Sequence, residues 1–390
     1  MTLRRLIFWL HLSIGSIIGL VIAFLAATGS ILAFQSQIVE WAEHGARIAT
    51  PSQSPCVAPS ALLENAANAE HRSPMSLTLF PDPHRPAEVA FAANAVVLID
   101  GCDGRVIGTG ASRLRGFFGS VRDLHRWIAW NGVRHETLRK IKNACVLAFL
   151  VLIASGLVLW FPRKISWQHL RPAVLFRRNL RGRAREWNWH TVFGFWLSLP
   201  LFMIALTGTI MAYGWANTLL YRVAGSPVPA ERAEPGVKQL KPLNADKFPM
   251  LDASIRRAML QDAAWKSLSM RLPSEKDSKV TFTLDDGDGG RPQQRAQLVL
   301  SLKDGHLVQW QPFAMNTRGR QWRLYARYLH TGELFGIVGR FVAFVAALSA
   351  LLLVWTGFSL ASRRLFSWRR RREAPRRKDV PATAQEIAHV

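Results

Sequence analysis

Histidines in apolar surroundings are the residues of this chain with the clearest chemical potential. His11 and His190 each lie near the start of a long apolar segment, and Gly15 and Gly194 follow them four residues later. The two segments align without a gap. An imidazole in hydrocarbon needs a partner, so the same costly residue in both copies indicates a shared ligand. Haem iron is the first candidate for that ligand.

A second pair of histidines precedes two further apolar segments. His125 lies in Leu-His-Arg-Trp and His330 in Leu-His-Thr-Gly. If the apolar segments cross a bilayer, His11 and His190 lie near one face, and His125 and His330 lie near the other. Facing imidazoles on neighbouring helices are a common way to hold a b-type haem. The pattern predicts two haem b groups, with these four histidines as iron ligands.

Glycines occur at the same depths as the histidines. A flat macrocycle needs small residues beside it, and positions one turn apart share a helical face. Small residues also allow close helix packing without a cofactor, so both interpretations stay open. The candidate haem-packing residues are Gly15, Gly194, Gly156 and Gly357 at the inner level, and Gly29 and Gly208 at the outer level. His135 is an alternative outer ligand without a counterpart in the second half of the chain.

Aromatic and basic side chains flank the outer histidines. They are predicted either to anchor the helices in an interfacial belt or to line a substrate site. Arginines there would also suit haem propionates or an anionic substrate. The candidate substrate residues are Trp127, Trp130, Trp322, Tyr325, Arg122 and Arg327.

The distribution of charge sets the expected topology. Four apolar stretches, about 9–34, 142–161, 190–214 and 338–360, approach or exceed the length of a membrane span. The formal net charge is +24, and the basic residues concentrate at the N-terminus, between the second and third stretches, and after the fourth. Basic residues flank membrane helices on the cytoplasmic side, so both termini are predicted to be cytoplasmic. Topology explains the charge without a nucleic-acid partner.

With both termini cytoplasmic, the two long segments at about 35–120 and 215–325 lie outside the membrane on the opposite side. Each of these external segments contains sequence patterns typical of a helix and of a β-hairpin. Asp-Gly at 103–104 and 304–305 separates apolar runs, which is a strong hairpin pattern. Amphipathic helices are expected at 59–69 and 251–264. Cys56 and Cys102 fall in the first segment, where an oxidising compartment would permit a disulfide, and this pairing stays open. No Cys-x-x-Cys-His motif for covalently attached haem occurs.

These patterns predict a membrane protein with a four-transmembrane-helix bundle, formed by two tandem repeats with two α+β periplasmic domains. The predicted order is transmembrane helix 1 (1–34), periplasmic domain 1 (35–120), pre-helix and helix 2 (121–161), basic cytoplasmic loop (162–189), helix 3 (190–214), periplasmic domain 2 (215–325), pre-helix and helix 4 (326–360) and basic cytoplasmic tail (361–390).

The motifs together resemble the PepSY-associated transmembrane family. They are His11-x-x-x-Gly15, Leu124-His125-Arg126-Trp127, Ser155-Gly156, His190-x-x-x-Gly194, Leu329-His330-Thr331-Gly332-Glu333 and Thr356-Gly357. The resemblance covers nearly the whole chain. It implies four membrane helices, PepSY-like periplasmic domains and a bacterial inner-membrane location. It also implies, as in the ferric-siderophore reductases of the family, b-type haem on transmembrane histidines.

Three functions follow as hypotheses. The first is an oxidoreductase that takes electrons from a cytoplasmic or quinol donor and reduces a ferric siderophore in the periplasm, releasing Fe(II). The second is a non-enzymatic, membrane-anchored PepSY module that binds a periplasmic peptide or protein. The third is a di-haem electron carrier that serves another periplasmic acceptor.

Overall fold

The computed structural model describes residues 2–43, 56–128, 135–162, 166–229, 250–274 and 277–373. The end of the predicted basic tail and Trp130 lie outside these ranges. The helices are α1 (Leu3–Leu32), α2 (Gln35–Glu43), α3 (Pro59–Glu70), α4 (Ser112–Trp127), α5 (Glu136–Trp160), α6 (Trp167–Val174), α7 (Gly182–Trp196), α8 (Ser198–Ala212), α9 (Gly214–Val223), α10 (Leu251–Gln261), α11 (Arg318–His330) and α12 (Gly336–Glu373).

Long apolar helices form one part of the molecule. Among the described residues, three helical segments have the length and composition to cross a membrane: Leu3–Glu43, Glu136–Trp160 and Glu333–Ser367. The bent pair α7 and α8 counts as a fourth if it is one span. α1 packs against α5 and α12, α5 against α8, and α12 against α7. Small residues such as Ala346 and Ala350 are buried where these helices meet.

The segment predicted as one continuous helix over 190–214 is broken in the structure. α7 and α8 meet at an angle of 62°, and Leu197 between them has φ −103° and ψ 5°. Pro200 supplies the physical reason, because proline lacks an N–H group and its ring crowds the carbonyl four residues earlier. That carbonyl belongs to Trp196, the last residue of α7.

An eight-stranded antiparallel sheet forms the second part of the molecule. Its order is β4-β3-β2-β1-β5-β6-β7-β8. The expected hairpins at 103–104 and 304–305 are confirmed as β3–β4 and β7–β8. The strands are β1 (Ser76–Leu79), β2 (Ala87–Ala90), β3 (Val96–Ile99), β4 (Val106–Gly108), β5 (Ser267–Arg271), β6 (Lys279–Asp285), β7 (Arg295–Ser301) and β8 (Leu307–Pro312).

The two external segments share this sheet. Each contributes four consecutive strands, and β1 pairs with β5 at the centre, where Thr78 Oγ1 lies 3.1 Å from Ser269 Oγ. α3 and α10 are the two expected amphipathic helices, and their buried side chains pack against the sheet in one shared core. Asp252 of α10 accepts hydrogen bonds from the backbone N–H and the hydroxyl of Ser60 on α3. The sequence predicted two separate domains, whereas the two segments form one sheet with one shared core.

A charged cluster ties the membrane helices to the sheet. Arg115 of α4 contacts both carboxylate oxygens of Glu43 at the end of α2, at 2.7 and 2.6 Å. It also lies 3.4 Å from Glu88 of β2. Burial raises the pKa of the Glu88 carboxyl, and the Arg115 charge opposes that rise. Arg115 therefore fixes the start of α4, the helix that carries His125.

A disulfide bond links two parts of the first external segment. Cys56 and Cys102 are bonded in the structure, which settles the pairing that the sequence left open. The bond joins the chain ahead of α3 to the β3–β4 turn. Cys145 on α5 is a free cysteine.

Candidate functional site

The inner histidines face each other across the helices. His11 on α1 and His190 on α7 have ring centroids 6.4 Å apart, with the ring planes at 88°. His11 Nδ1 lies 2.9 Å from Ser155 Oγ on α5. His190 Nδ1 lies 2.9 Å from Thr356 Oγ1 on α12. Each imidazole is thus held by a hydroxyl from the second long helix of its own half of the chain.

The hydroxyls determine the tautomer of these histidines. Ser155 Oγ donates to the carbonyl of Leu152 at 2.9 Å, and Thr356 Oγ1 donates to that of Leu352 at 2.8 Å. A hydroxyl has one proton to donate, so each accepts from the imidazole beside it. The hydrogen-bond network therefore assigns the proton to Nδ1. Nε2 is left as a neutral nitrogen with a free lone pair, which is the form that ligates metals.

The outer histidines repeat this arrangement. His125 on α4 and His330 on α11 have ring centroids 6.3 Å apart, with the planes at 57°. His125 Nδ1 lies 2.8 Å from Thr28 Oγ1 on α1. His330 Nδ1 lies 3.2 Å from Thr207 Oγ1 on α8 and 2.9 Å from the Ile204 carbonyl. Because a carbonyl only accepts, the proton of His330 also belongs on Nδ1.

The glycine after each of these hydroxyl residues borders the imidazole itself. A Cβ atom at Gly156 would lie 3.2 Å from His11 Cε1, and one at Gly208 would lie 3.2 Å from His330 Cε1. The corresponding distances at Gly29 to His125 and at Gly357 to His190 are 3.4 and 3.5 Å. Space for the histidine ring is therefore a direct reason for glycine at these four positions.

The glycines that follow the inner histidines have different neighbours. Cβ positions at Gly15 and Gly194 would meet Leu152 and Leu353 at 3.5 and 3.7 Å. These are ordinary packing distances. The same relation holds in both halves of the chain.

Four hydroxyl residues at the site were given no role from the sequence, although two of them, Ser155 and Thr356, stand in the motifs that carry the family resemblance. Each stands directly before a glycine, so the signal was a Ser/Thr-Gly dipeptide repeated in four apolar helices. In metal sites generally, the nitrogen of a ligating histidine that does not bind the metal donates to a neighbouring group, which fixes the orientation of the ring. The four residues are Thr28, Ser155, Thr207 and Thr356.

The spacing of each pair can be compared with that of two axial ligands. A metal–imidazole bond is about 2 Å and a ring centroid lies about 1 Å behind its nitrogen, so two rings on opposite sides of one metal have centroids roughly 6 Å apart. The observed 6.3 and 6.4 Å match this value. No group of three or more His, Cys, Asp or Glu that could hold a metal occurs within the described ranges. Bare metal sites use about three or four protein ligands, and each pair offers two imidazoles.

Basic side chains surround the outer pair. Burial lowers the pKa values of the Arg122 and Arg323 guanidinium groups, and the charge of Arg327 disfavours protonation of both further. In the described part of the chain, neither Arg122 nor Arg327 forms a salt bridge with a carboxylate. Lys142 of α5 donates to the Arg126 carbonyl at 2.8 Å. This rim is positive and suited to an anionic group.

The other predicted substrate residues lie on the two helices that bear the outer histidines. Trp322 of α11 is 42% exposed, whereas Tyr325 accepts a hydrogen bond from Gln293 at 3.3 Å. Trp127, the last residue of α4, lies beneath the guanidinium groups of Arg126 and Arg139. His135 is exposed at the start of α5, and it is His125 that faces His330.

The fold and the paired histidines define a membrane protein with an antiparallel sheet and two half-buried imidazole pairs. The sequence matches the family described as the PepSY-associated TM region over residues 8–364. The chain belongs to this family. No curated protein matches the sequence.

Proposed function

We propose that this protein is a haem-containing inner-membrane reductase that passes electrons across the membrane to a ferric siderophore. The observation that carries the proposal is the presence of two imidazole pairs at two levels of the membrane helices, each with ring centroids 6.3–6.4 Å apart and each ring anchored through Nδ1. A b-type haem bound at each pair would supply a one-electron carrier.

The protein's own residues would bind and orient the cofactors. His11 and His190 would hold one haem, and His125 and His330 the other, through Nε2. The hydroxyls of Ser155, Thr356, Thr28 and Thr207 would fix the ring orientations and raise the basicity of the ligating nitrogens. Because each pair joins the first half of the chain to the second, both halves are required for either site.

The distribution of basic residues supports an orientation of the protein in the membrane and, with it, a direction of electron transfer. The basic residues at the end remote from the sheet suggest that this end faces the cytoplasm, which places His11 and His190 near the donor. The sheet, with its disulfide, would then lie in the oxidising periplasm. The donor is proposed to be a cytoplasmic reductant or a quinol.

The outer end would receive the substrate. Trp322, Arg122 and Arg327 lie on the helices that carry His125 and His330, where they would contact a ferric chelate. One electron converts Fe(III) to Fe(II), a softer ion that hard oxygen ligands hold more weakly. The iron would therefore leave its chelator after reduction.

Reoxidation of the reduced protein tests this proposal. Dithionite-reduced protein, freed of excess reductant, is expected to lose its reduced absorption bands when a ferric hydroxamate siderophore is added, with Fe(II) captured by ferrozine. The same siderophore loaded with Ga(III), which accepts no electron under these conditions, is the matched control. If the bands persist with every ferric chelate tried, the acceptor is another periplasmic molecule and the siderophore assignment is wrong.

A further inference from the structure

A cavity of about 480 Å³ lies at the end of the molecule remote from the sheet. It is formed between α6, the loop that follows α6, and the first turns of α7. It does not include any of the four paired histidines, although α7 also carries His190. Its lining includes Pro172, Arg177, Leu180, Arg183, Trp187 and Asn188.

Hydrogen bonds of the buried Asn188 side chain hold the walls of this cavity together. Asn188 is 1% exposed, and its Nδ2 donates to the carbonyls of Pro172 and Leu175 at 2.9 and 3.1 Å. Its Oδ1 accepts from the backbone N–H of Arg177 at 3.1 Å. All the polar atoms of the Asn188 side chain are thus used to hold the loop against α7, so the cavity is preformed.

Two tryptophans attach the C-terminal end of α6 to the membrane helices. Trp160 Nε1 donates to the Ala173 carbonyl at 3.2 Å, and Trp196 Nε1 donates to the Val174 carbonyl at 2.9 Å. These bonds satisfy carbonyls that a helix end leaves unpaired. They hold α6 against the ends of α5 and α7.

Exposed apolar side chains occur on α6 and directly after it. Trp167 on α6 is 64% exposed and Phe176, just after α6, is 51% exposed. A short helix with a basic and an apolar side is typical of a segment that lies in a membrane interface. The opening of the cavity is therefore expected at headgroup depth, next to acyl chains.

The charged groups of the cavity lack an anionic partner within the described ranges. Arg177 comes from the loop and Arg183 from α7, both are exposed, and neither forms a salt bridge among the described residues. Guanidinium groups bind phosphate oxygens through paired hydrogen bonds. Trp187, 53% exposed in the same cavity, offers an apolar surface for the glycerol portion of a lipid.

We propose that this cavity binds the phosphate of an anionic phospholipid headgroup, between Arg177 and Arg183, with the acyl chains beside Phe176. A basic pocket between membrane helices is a known type of lipid site. The interfacial position and the apolar surroundings favour a lipid over a soluble phosphate. The site does not depend on haem binding.

Native mass spectrometry of the full-length protein tests this site. Detergent-purified protein is titrated with dioleoylphosphatidylglycerol and, separately, with dioleoylphosphatidylcholine. We expect the anionic lipid to bind at least about tenfold more tightly, because each basic residue near an anionic group adds to the attraction. The double variant R177Q/R183Q should lose this preference. R178Q/R181Q removes the same charge from the same loop, outside the cavity lining, and should retain it.

Several outcomes would overturn the assignment. Equal loss of preference in both double variants would mean that the loop attracts anions diffusely, without a site. Displacement of phosphatidylglycerol by equimolar inorganic phosphate would mean that the ligand is a soluble phosphate. The variant R177K/R183K keeps the charges and should retain partial preference, which separates loss of binding from misfolding.

Discussion

At the scale of single residues, the site is built from one repeated contact. Each histidine Nδ1 lies next to a Ser or Thr hydroxyl, and the glycine after that hydroxyl residue leaves room for the ring. His330 Nδ1 has the Ile204 carbonyl as an additional and closer acceptor. The histidines and glycines could be identified from the sequence, because a polar residue in an apolar run is conspicuous. The hydroxyls could not, because Ser and Thr commonly bond to their own helix backbone, and their second contact depends on which helices are neighbours.

Thr356→Val is expected to weaken the inner site. Thr356 is fully buried, and valine has the same shape but cannot accept from His190 Nδ1. An unsatisfied buried donor costs about 1–3 kcal/mol in the free energy of unfolding, and loss of such an orienting group lowers metal affinity about 10–100-fold. Thermal unfolding of the purified protein and haem titration measure these effects.

Two variants control the Thr356 experiment. Thr356→Ser retains the hydroxyl and should restore haem affinity. Thr191→Val alters the residue after His190. The Thr191 hydroxyl donates to the Trp187 carbonyl of its own helix, and its loss should change neither quantity. Equal behaviour of Thr356→Val and Thr191→Val would show that the His190 contact has no role in ligand orientation.

Gly208→Ala is expected to displace the His330 ring. The added Cβ would lie 3.2 Å from His330 Cε1, so the ring must move, and overpacking of this kind costs about 1–3 kcal/mol. Thermal unfolding and the haem content of the outer site provide the measurement. Gly214→Ala, where no atom lies within 4 Å of the new Cβ, is the control. Full haem content in Gly208→Ala would contradict the close contact.

At the scale of elements, three of the apolar helices are continuous and the fourth apolar segment is broken between α7 and α8. The positions and apolar character of α1, α5 and α12 follow from composition. Their lengths were underestimated, because α5 (Glu136–Trp160) begins before the predicted 142–161 and α12 (Gly336–Glu373) continues beyond the predicted 338–360 into the basic tail. The 62° bend between α7 and α8 was missed because Pro200 lies in a continuous apolar run. Apolar character alone does not distinguish a straight span from a broken one.

Arg115→Met should destabilise the connection between the membrane helices and the sheet. It removes the partner of Glu43 and leaves both Glu43 and Glu88 without their shared cation. All three side chains are half-buried, and Glu88 keeps Arg85 as a partner at 3.8 Å, so the expected cost lies between that of an exposed pair, about 1 kcal/mol, and that of a buried pair, about 3 kcal/mol. α4 should lose its fixed position. The expected result is a lower melting temperature with reduced haem content at the outer site.

The control for Arg115→Met is Arg113→Met, which removes an exposed arginine two residues away on the same helix. Substitutions at exposed positions usually change stability by less than about 0.5 kcal/mol. If the two variants have the same melting temperature, the Arg115 cluster is not what fixes α4.

At the scale of the whole molecule, the two halves of the chain depend on each other. The sheet is continuous through β1 and β5, and both histidine pairs join residues from the two halves. Internal repetition could be recognised in the sequence because equivalent positions keep the same residue types. The pairing of β1 with β5 could not, since short strands with mixed polarity carry little information about their partners.

The haem-to-protein ratio of the wild type and of two histidine variants tests the central claim most directly. Reduced-minus-oxidised absorption spectra, calibrated by pyridine haemochrome, are expected to give two b-type haems in the wild type. His190→Ala and His330→Ala should each retain one, and the double variant none, while all remain in the membrane fraction. Absence of reducible b-type bands after expression with ample haem, or retention of both haems in either single variant, would contradict the account.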